Sequence, residues 1–353
     1  MLDNMKKILP IAVLLLMMPV AQAQVNYCIK GDLGCPDFTG TVYLRNILDQ
    51  ESSTAIDSFF VVNGVIREHE ATADSIFWGH LYEKSHKFQV LLFVEDGTIT
   101  ASKFGDDKVL FKGTPLNDEY FNLYHQIYQL SKSYETDSII SLKDAVTELD
   151  SLVYPVLQRH TDDPLGYAIV NEFYDQTYSY ERGIEYIDML SDKWRGNRIV
   201  RYLRSLLVKQ QTTKPGFMFK DFAVEYDGKT TRLGDYVGKG QYVVANFWAS
   251  WCGPCRGEIP NLISLYNKYR DKGLVVLGIA VWDKPEATLK AIEEEHIPYP
   301  QIINSQSIAT ELYGINGVPE VILFAPDGTI IDRGRRLRGE NLELQVRKAL
   351  MLE

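Results

Sequence analysis

One segment constrains the fold of this chain more than any other: an apolar run that ends just before two closely spaced cysteines. The run Tyr242–Trp248 is almost continuously apolar, which is typical of a strand buried on both faces. Cys252 and Cys255 follow it, separated by Gly253 and Pro254. Because proline is favoured in the first turn of a helix, a helix is predicted to begin at this point. A buried strand that leads through a tight turn into a helix is a building unit of α/β folds.

The Cys252-Gly253-Pro254-Cys255 motif suits thiol–disulfide exchange. The nucleophile of this reaction is a thiolate. Cys252 would lie at the helix N-terminus, where free N–H groups and the helix dipole stabilise a negative sulfur. Its pKa is therefore expected well below the free value of about 8.5. Cys255 would lie one turn later, where it can attack a mixed disulfide and release the substrate. Gly253 permits the tight turn, and Pro254 fixes φ at the helix start.

A metal site or two idle thiols are the alternatives for this cysteine pair. A structural zinc site needs four ligands, and no second cluster of cysteine and histidine with suitable spacing occurs in the sequence. We therefore expect a redox-active Cys252–Cys255 disulfide, no metal and no other cofactor.

Strand and helix patterns alternate after the polar stretch Thr212–Gly216. The predicted elements are a strand over Leu274–Val281, helices over Pro285–Glu295, Ser307–Tyr313 and Leu342–Leu352, and a hairpin of Val321–Phe324 with Thr329–Asp332. This order predicts an α/β domain over residues 212–353, with a mixed sheet flanked by helices. A run of four arginines near the end of the last strand is expected on a solvated edge: Arg333, Arg335, Arg336 and Arg338.

Two other regions precede this domain. Residues 24–115 contain short β-rich runs, with Asn63-Gly64 and Asp96-Gly97 as hairpin turns, which predicts an all-β domain with a sandwich-like or half-barrel architecture. Residues 116–211 change to helical periodicity, which predicts three to five helices. Asp163-Pro164 has the pattern of an N-cap followed by proline at the first helical position.

The first 23 residues have the features of a secretory signal peptide. Lys6 and Lys7 precede the apolar run Ile8–Val20, and Ala21-Gln22-Ala23 supplies a small-x-small cleavage box. A membrane anchor is one alternative, but the apolar run is shorter than the roughly 20 residues that span a bilayer. Lipidation at Cys28 is another, but Tyr27 lies where a lipoprotein box needs a small residue. We expect removal of residues 1–23 and secretion across the inner membrane into the periplasm, with no membrane span in the mature chain.

Three separated features resemble the thioredoxin family. They are the run Phe247–Cys255 around the dithiol, Pro260 five residues after Cys255, and Gly317-Val318-Pro319. The resemblance covers roughly residues 214–353 and implies the thioredoxin fold. It also implies a cis-proline loop beside the dithiol, in which Val318 and Pro319 offer backbone groups to an extended substrate. By the same resemblance, Trp251, Gly253 and Pro254 contact the substrate, whereas Trp248 is expected in the core.

Two positions refine the resemblance. Asn246 lies where thioredoxin has a buried aspartate, and Glu258 follows Cys255 by three residues. This arrangement is similar to that of secreted thioredoxin-like proteins that act in cytochrome c maturation, in which the glutamate tunes the cysteines. The resemblance implies that Glu258 raises the cysteine pKa values by repulsion or relays a proton. The alternative is a first-turn glutamate that only complements the helix dipole.

The N-terminal β-rich region carries the other two cysteines, Cys28 and Cys35. Their proximity and the oxidising compartment favour a structural disulfide; two free thiols are the second alternative and a second redox pair the third. The region resembles a poorly characterised domain that often precedes secreted thioredoxin-like modules. This region could recognise substrate, mediate dimerisation or position the redox module, and the sequence does not distinguish these three roles.

The sequence favours an extracytoplasmic disulfide reductase whose partners are protein disulfide substrates and a membrane thiol-donor protein that re-reduces it. An oxidase or isomerase is the first alternative, and a non-enzymatic scaffold with a thioredoxin fold is the second. The net charge of −10 argues against a nucleic-acid partner.

Overall fold

The computed structural model describes residues 24–49, 54–85, 88–105, 108–136, 142–174, 179–334 and 337–352. The predicted signal peptide, residues 1–23, therefore lies outside the described residues. The chain divides into two compact units, Met1–Gln129 and Leu130–Glu353.

The first unit is built from two four-stranded sheets that enclose one hydrophobic core. Its strands are β1 (Val25–Asp32), β2 (Gly40–Asn46), β3 (Asp57–Val61), β4 (Val65–Ala73), β5 (Phe77–Tyr82), β6 (Gln89–Val94), β7 (Gly97–Phe104) and β8 (Lys108–Lys112). The sheet orders are β4-β1-β7-β8 and β3-β2-β5-β6. Alternate residues of both sheets, such as Ile29 of β1 and Leu44 of β2, face the shared core. The predicted sandwich-like β domain is confirmed.

Cys28 and Cys35 are both free thiols in this unit. The structure therefore does not contain the disulfide that the sequence predicts between them. In β1, Tyr27 and Ile29 face the core, and strand alternation therefore turns Cys28 to the opposite face. There its sulfur contacts a carboxylate oxygen of Glu68 at 3.7 Å. Cys35 instead packs against the core. Desolvation, followed by nearby carboxylates, raises the pKa of both thiols, which does not favour a second redox pair.

Helices dominate the chain between the two β regions. They are α1 (Pro115–Thr136), α2 (Leu142–Arg159), α3 (Pro164–Phe173), α4 (Tyr180–Met189), α5 (Asp192–Arg195) and α6 (Arg198–Gln211). The number exceeds the predicted three to five because the segment after α4 forms the separate four-residue helix α5. The predicted cap is present: the Asp163 carboxylate accepts hydrogen bonds from the Leu165 and Gly166 amides at 2.9 and 3.3 Å.

The rest of the second unit is an α/β domain around a five-stranded mixed sheet. Its elements are β9 (Ala223–Tyr226), β10 (Lys229–Arg232), β11 (Tyr242–Trp248), α7 (Gly253–Tyr269), β12 (Leu274–Ala280), α8 (Pro285–Glu294), β13 (Gln301–Ile302), α9 (Ile308–Tyr313), β14 (Glu320–Phe324), β15 (Ile330–Arg333) and α10 (Gly339–Ala349). The sheet order is β13-β12-β11-β14-β15, with β11 parallel to β12 and antiparallel to β14.

Strand β11 lies at the centre of this sheet and is buried on both faces. Val243, Ala245 and Phe247 face a core that contains α9, whereas Val244 and Trp248 face the cores that contain α7. Ile259 and Leu262 of α7 face the sheet. The central strand therefore fixes the start of α7, where the cysteines lie.

The polar stretch Thr212–Gly216 does not separate compact units, since residues 130–353 form one. Thr213 is fully buried. Arg333 is also buried, with 6% of its surface exposed, and pairs with Glu320 at 3.1 Å. The expectation of a solvated edge is therefore wrong for Arg333, because its charge is neutralised inside the domain. Arg335 and Arg336 lie outside the described residues.

Gly278 of β12 allows a side chain of the neighbouring strand to lie against it. Gly278 is paired with Gln301 of β13, and an added Cβ would collide with the Gln301 side chain. The side-chain oxygen of Gln301, Oε1, accepts a hydrogen bond from the Trp248 indole N–H at 3.0 Å. Because Gly278 has no side chain, the Gln301 side chain has room to orient Trp248 at the end of β11.

We predict that Gly278→Ala displaces Gln301, breaks its bond to Trp248 and lowers the free energy of unfolding of this domain by about 1–3 kcal/mol. Chemical denaturation followed by tryptophan fluorescence measures the change. The same substitution should cost less in a Gln301→Ala background, where the colliding atoms are gone. Additive effects of the two substitutions would contradict this explanation.

Candidate active site

Cys252 is the N-cap residue of α7, and Cys255 lies in the first turn of the helix. The Cys252 backbone is extended, with φ −86° and ψ 101°, and its sulfur accepts a hydrogen bond from the Cys255 amide at 3.2 Å. The side chain thus occupies the place where N-cap oxygens satisfy free amides at helix starts. The two cysteines form a disulfide, with their Cα atoms 5.2 Å apart.

The two sulfurs differ in their surroundings. Both cysteines pack in a cluster with Trp248 and Ile259, but Cys255 is 0% exposed whereas Cys252 is 5% exposed. Gly253 and Pro254 between them are exposed at the surface. The exposed surface of the motif is therefore formed by Gly253, Pro254 and a small part of Cys252, while Cys255 is shielded.

The Val318–Pro319 peptide bond is cis, and it lies beside Cys252. The Cys252 sulfur is 3.7 Å from the Val318 carbonyl oxygen. Pro319 is buried and Val318 is half-buried against the clusters on both faces of the sheet. The structure therefore brings together the dithiol and the loop that the sequence predicts beside it.

The two tryptophans near the motif have different environments. Trp248 is buried, as predicted. The Trp251 side chain is 62% exposed, and its indole N–H donates to the Trp282 carbonyl oxygen at 3.1 Å. Trp251 therefore presents a large apolar surface next to Cys252 while one polar atom fixes its orientation.

Asp283 supports the loop before Cys252 and was not identified from the sequence. Its carboxylate accepts the Ser250 amide at 2.6 Å, the Ser250 hydroxyl at 3.0 Å and the Thr288 hydroxyl at 3.0 Å. Ser250 and Asp283 both follow parallel neighbours, β11 and β12, whose carboxyl ends share one edge of the sheet. That shared edge is the signal by which sequence reasoning could have paired them.

Glu258 is buried one turn after Cys255. Its carboxylate accepts the Gly339 amide, at the start of α10, at 2.7 Å and the Asn261 side-chain amide at 3.1 Å. Burial, and then the negative charge of Glu258, raises the pKa of the Tyr299 hydroxyl. Glu258 thus lies buried one turn after the dithiol and joins α7 to α10.

Asn246 lies on the face of β11 that carries Val244 and Trp248, beneath α7. It is almost fully buried, and among the described residues its side-chain oxygen has no hydrogen-bond partner. A buried amide oxygen of this kind is a place where an ordered water is expected to bind.

Residues 215–333 match the model of the AhpC/TSA family. This C-terminal domain is thioredoxin-like. Among curated relatives, the thiol-disulfide oxidoreductase ResA of Oceanobacillus iheyensis is 32% identical over 116 residues, which cover 33% of this chain and 59% of the relative. ResA of Bacillus thuringiensis subsp. konkukian is 29% identical over 136 residues, which cover 38% of this chain and 73% of the relative.

Solved structures also match the thioredoxin-like domain. The thioredoxin domain of a thiol-disulfide oxidoreductase from Bacteroides vulgatus is 33% identical, with a TM-score of 0.35; the match covers 38% of this chain and 96% of that one. A thiol:disulfide interchange protein from Bacteroides sp. is 31% identical, with a TM-score of 0.36 and coverage of 40% and 92%.

No helix among the residues that the structure describes combines the length and the apolar character needed to cross a membrane.

We predict that Asp283→Ala releases the Ser250 segment and destabilises the thioredoxin-like domain by about 2–4 kcal/mol, because the Ser250 amide, the Ser250 and Thr288 hydroxyls and the Lys284 amide lose their acceptor. Amide hydrogen exchange at Ser250 should become faster while exchange in the middle of β11 changes less. Asp271→Ala is the matched control, since the Asp271 side chain is 89% exposed. Unchanged exchange at Ser250 in Asp283→Ala would show that Asp283 does not hold this segment.

Proposed function

We propose that this chain is an extracytoplasmic thiol–disulfide oxidoreductase that reduces protein disulfides. The observation that supports it best is the Cys252 sulfur at the start of α7, which accepts the Cys255 amide at 3.2 Å and lies 3.7 Å from the Val318 carbonyl oxygen. The first contact stabilises a thiolate. The second places the sulfur beside backbone groups that an extended polypeptide can pair with.

The reaction starts from the reduced dithiol. The Cys252 thiolate attacks one sulfur of a substrate disulfide, a mixed disulfide forms, and the second substrate sulfur leaves as a thiolate. The buried Cys255 then loses its proton and attacks Cys252, which forms the Cys252–Cys255 disulfide and releases the first substrate sulfur. The substrate gains two electrons and the enzyme loses two. A membrane thiol-donor protein would return the enzyme to the dithiol state.

The reducing direction is favoured by the Gly-Pro dipeptide between the cysteines, which resembles that of reducing thioredoxins. We propose substrates that include cysteines of apocytochrome c and misoxidised secreted proteins, in line with the secretory signal expected at residues 1–23. A reduction potential near −270 mV, as for thioredoxin, is the expected result. A potential above about −180 mV would instead indicate an oxidase or isomerase.

We predict that Cys255→Ala traps the mixed disulfide on Cys252, because the resolving thiol is absent. Non-reducing electrophoresis and mass spectrometry of periplasmic extracts should show adducts that dithiothreitol removes. Cys252→Ala is the matched control and should trap nothing. If the wild-type protein with dithiothreitol as donor fails to reduce insulin, and Cys255→Ala forms no adduct, the enzymatic proposal is wrong and a scaffold role is favoured.

We also propose that the buried Glu258 tunes the cysteines. Loss of its negative charge in Glu258→Gln should remove repulsion of a nearby thiolate, so the pKa of the Cys252 thiol should fall. The pH dependence of iodoacetamide alkylation measures it. Asn261→Ala is the control, because it removes a donor to the same carboxylate but keeps the charge. Superimposable titration curves for wild type and Glu258→Gln would show that Glu258 does not tune the cysteines and has only a structural role through its hydrogen bond to α10.

A further inference from the structure

The segment that carries the cis-proline, residues 314–319, is attached to the helical region of the same compact unit. The Gln210 side-chain amide of α6 donates to the Gly314 carbonyl oxygen at 2.9 Å. The Asn316 side-chain amide donates to the Tyr174 hydroxyl, just after α3, at 3.0 Å. Helices from outside the thioredoxin-like domain therefore contact this segment at two positions.

Gly314 shows how closely α6 approaches the segment. Its φ is +65°, which favours glycine. A Cβ added at Gly314 would lie 2.7 Å from the Leu206 carbonyl oxygen and 3.0 Å from the Gln210 amide nitrogen, both in the backbone of α6. The α6 backbone thus packs directly against the start of the segment. A side chain at position 314 would collide with backbone atoms of α6, which cannot rotate away as a flexible side chain could.

The buried Arg333 guanidinium joins both ends of the segment to the helical region. Its Nη1 donates to the Tyr313 carbonyl oxygen at 3.0 Å, immediately before the segment. Its Nε and Nη2 donate to Glu320 Oε1 at 3.3 and 3.1 Å, immediately after Pro319. The third partner is Thr213, whose hydroxyl oxygen accepts from Nη1 at 2.6 Å.

Thr213 connects this cluster to the helical region. It lies two residues after the end of α6, and its hydroxyl donates to the Lys209 carbonyl oxygen of that helix at 2.9 Å while it accepts from Arg333. A fully buried hydroxyl thus links the end of α6 to the charge that holds both ends of the cis-proline segment.

We propose that the helical region positions the cis-proline segment for protein substrates, and that Thr213 is a positioning residue for this purpose. The inference rests on the proposed function and deepens it. An extended polypeptide needs the segment's backbone at a fixed distance from Cys252, whereas a small disulfide needs only the sulfur. Displacement of the segment should therefore impair recognition of protein substrates selectively.

The test compares Thr213→Val with Thr213→Ser in the full chain. Thr213→Val removes the hydroxyl and should raise KM for insulin by roughly three- to tenfold, with kcat/KM for 5,5′-dithiobis(2-nitrobenzoic acid) within about twofold of wild type. Thr213→Ser keeps the hydroxyl and should behave as wild type. Thr212→Val is the matched control: Thr212 also donates to the Lys209 carbonyl oxygen, at 3.0 Å, but accepts from Lys220 rather than Arg333.

A second measurement does not depend on activity. Amide hydrogen exchange at Asn316, Gly317 and Val318 should be faster in Thr213→Val than in wild type, Thr213→Ser or Thr212→Val. Equal exchange and equal KM in all four proteins would overturn the inference, as would equal losses toward insulin and the small disulfide. A wild-type protein that reduces neither substrate would overturn the proposed function instead, and the exchange rates would still decide whether Thr213 holds the segment.

Discussion

The hydrogen bond from the Cys255 amide to the Cys252 sulfur is the interaction on which the site depends. It exists because the central strand β11 ends at a fixed place and only four residues, 249–252, separate it from the start of α7. Pro254 lacks the amide that would otherwise need a partner in the first turn. Asp283 then fixes Ser250 from the neighbouring strand end. Each of these features contributes to one result: a sulfur placed where a negative charge is stabilised.

The burial of the two cysteines suggests the order of the chemical steps. Both cysteines pack in the cluster with Trp248 and Ile259, but Cys255 is fully buried whereas a small part of Cys252 is exposed next to Trp251. We therefore propose that Cys252 attacks an incoming disulfide first and that Cys255 acts after the mixed disulfide has formed.

Local patterns in the sequence predicted the elements that carry the site. The sequence predicts β11, the Cys252–Cys255 pair and the Asp163 cap because each depends only on residues that are neighbours in the chain. It does not predict features that depend on which faces of distant elements meet in the fold. Cys28 and Cys35 are close in sequence, but strand alternation directs Cys28 away from the core that Cys35 contacts. The run of arginines predicts a solvated edge at Arg333, but Arg333 pairs with the buried Glu320 of another strand, and no local pattern indicates that pair.

We propose that the Cys252 thiol of the reduced protein is held as a reactive anion. The most direct test is the rate of iodoacetamide alkylation at Cys252 as a function of pH, compared with the same cysteine in urea-unfolded protein. We expect the pKa of the Cys252 thiol in the folded protein to lie well below the value of about 8.5 for a free thiol, and we expect Cys252 to react before Cys255. A folded-state titration at or above that value, or alkylation of Cys255 first, would contradict it.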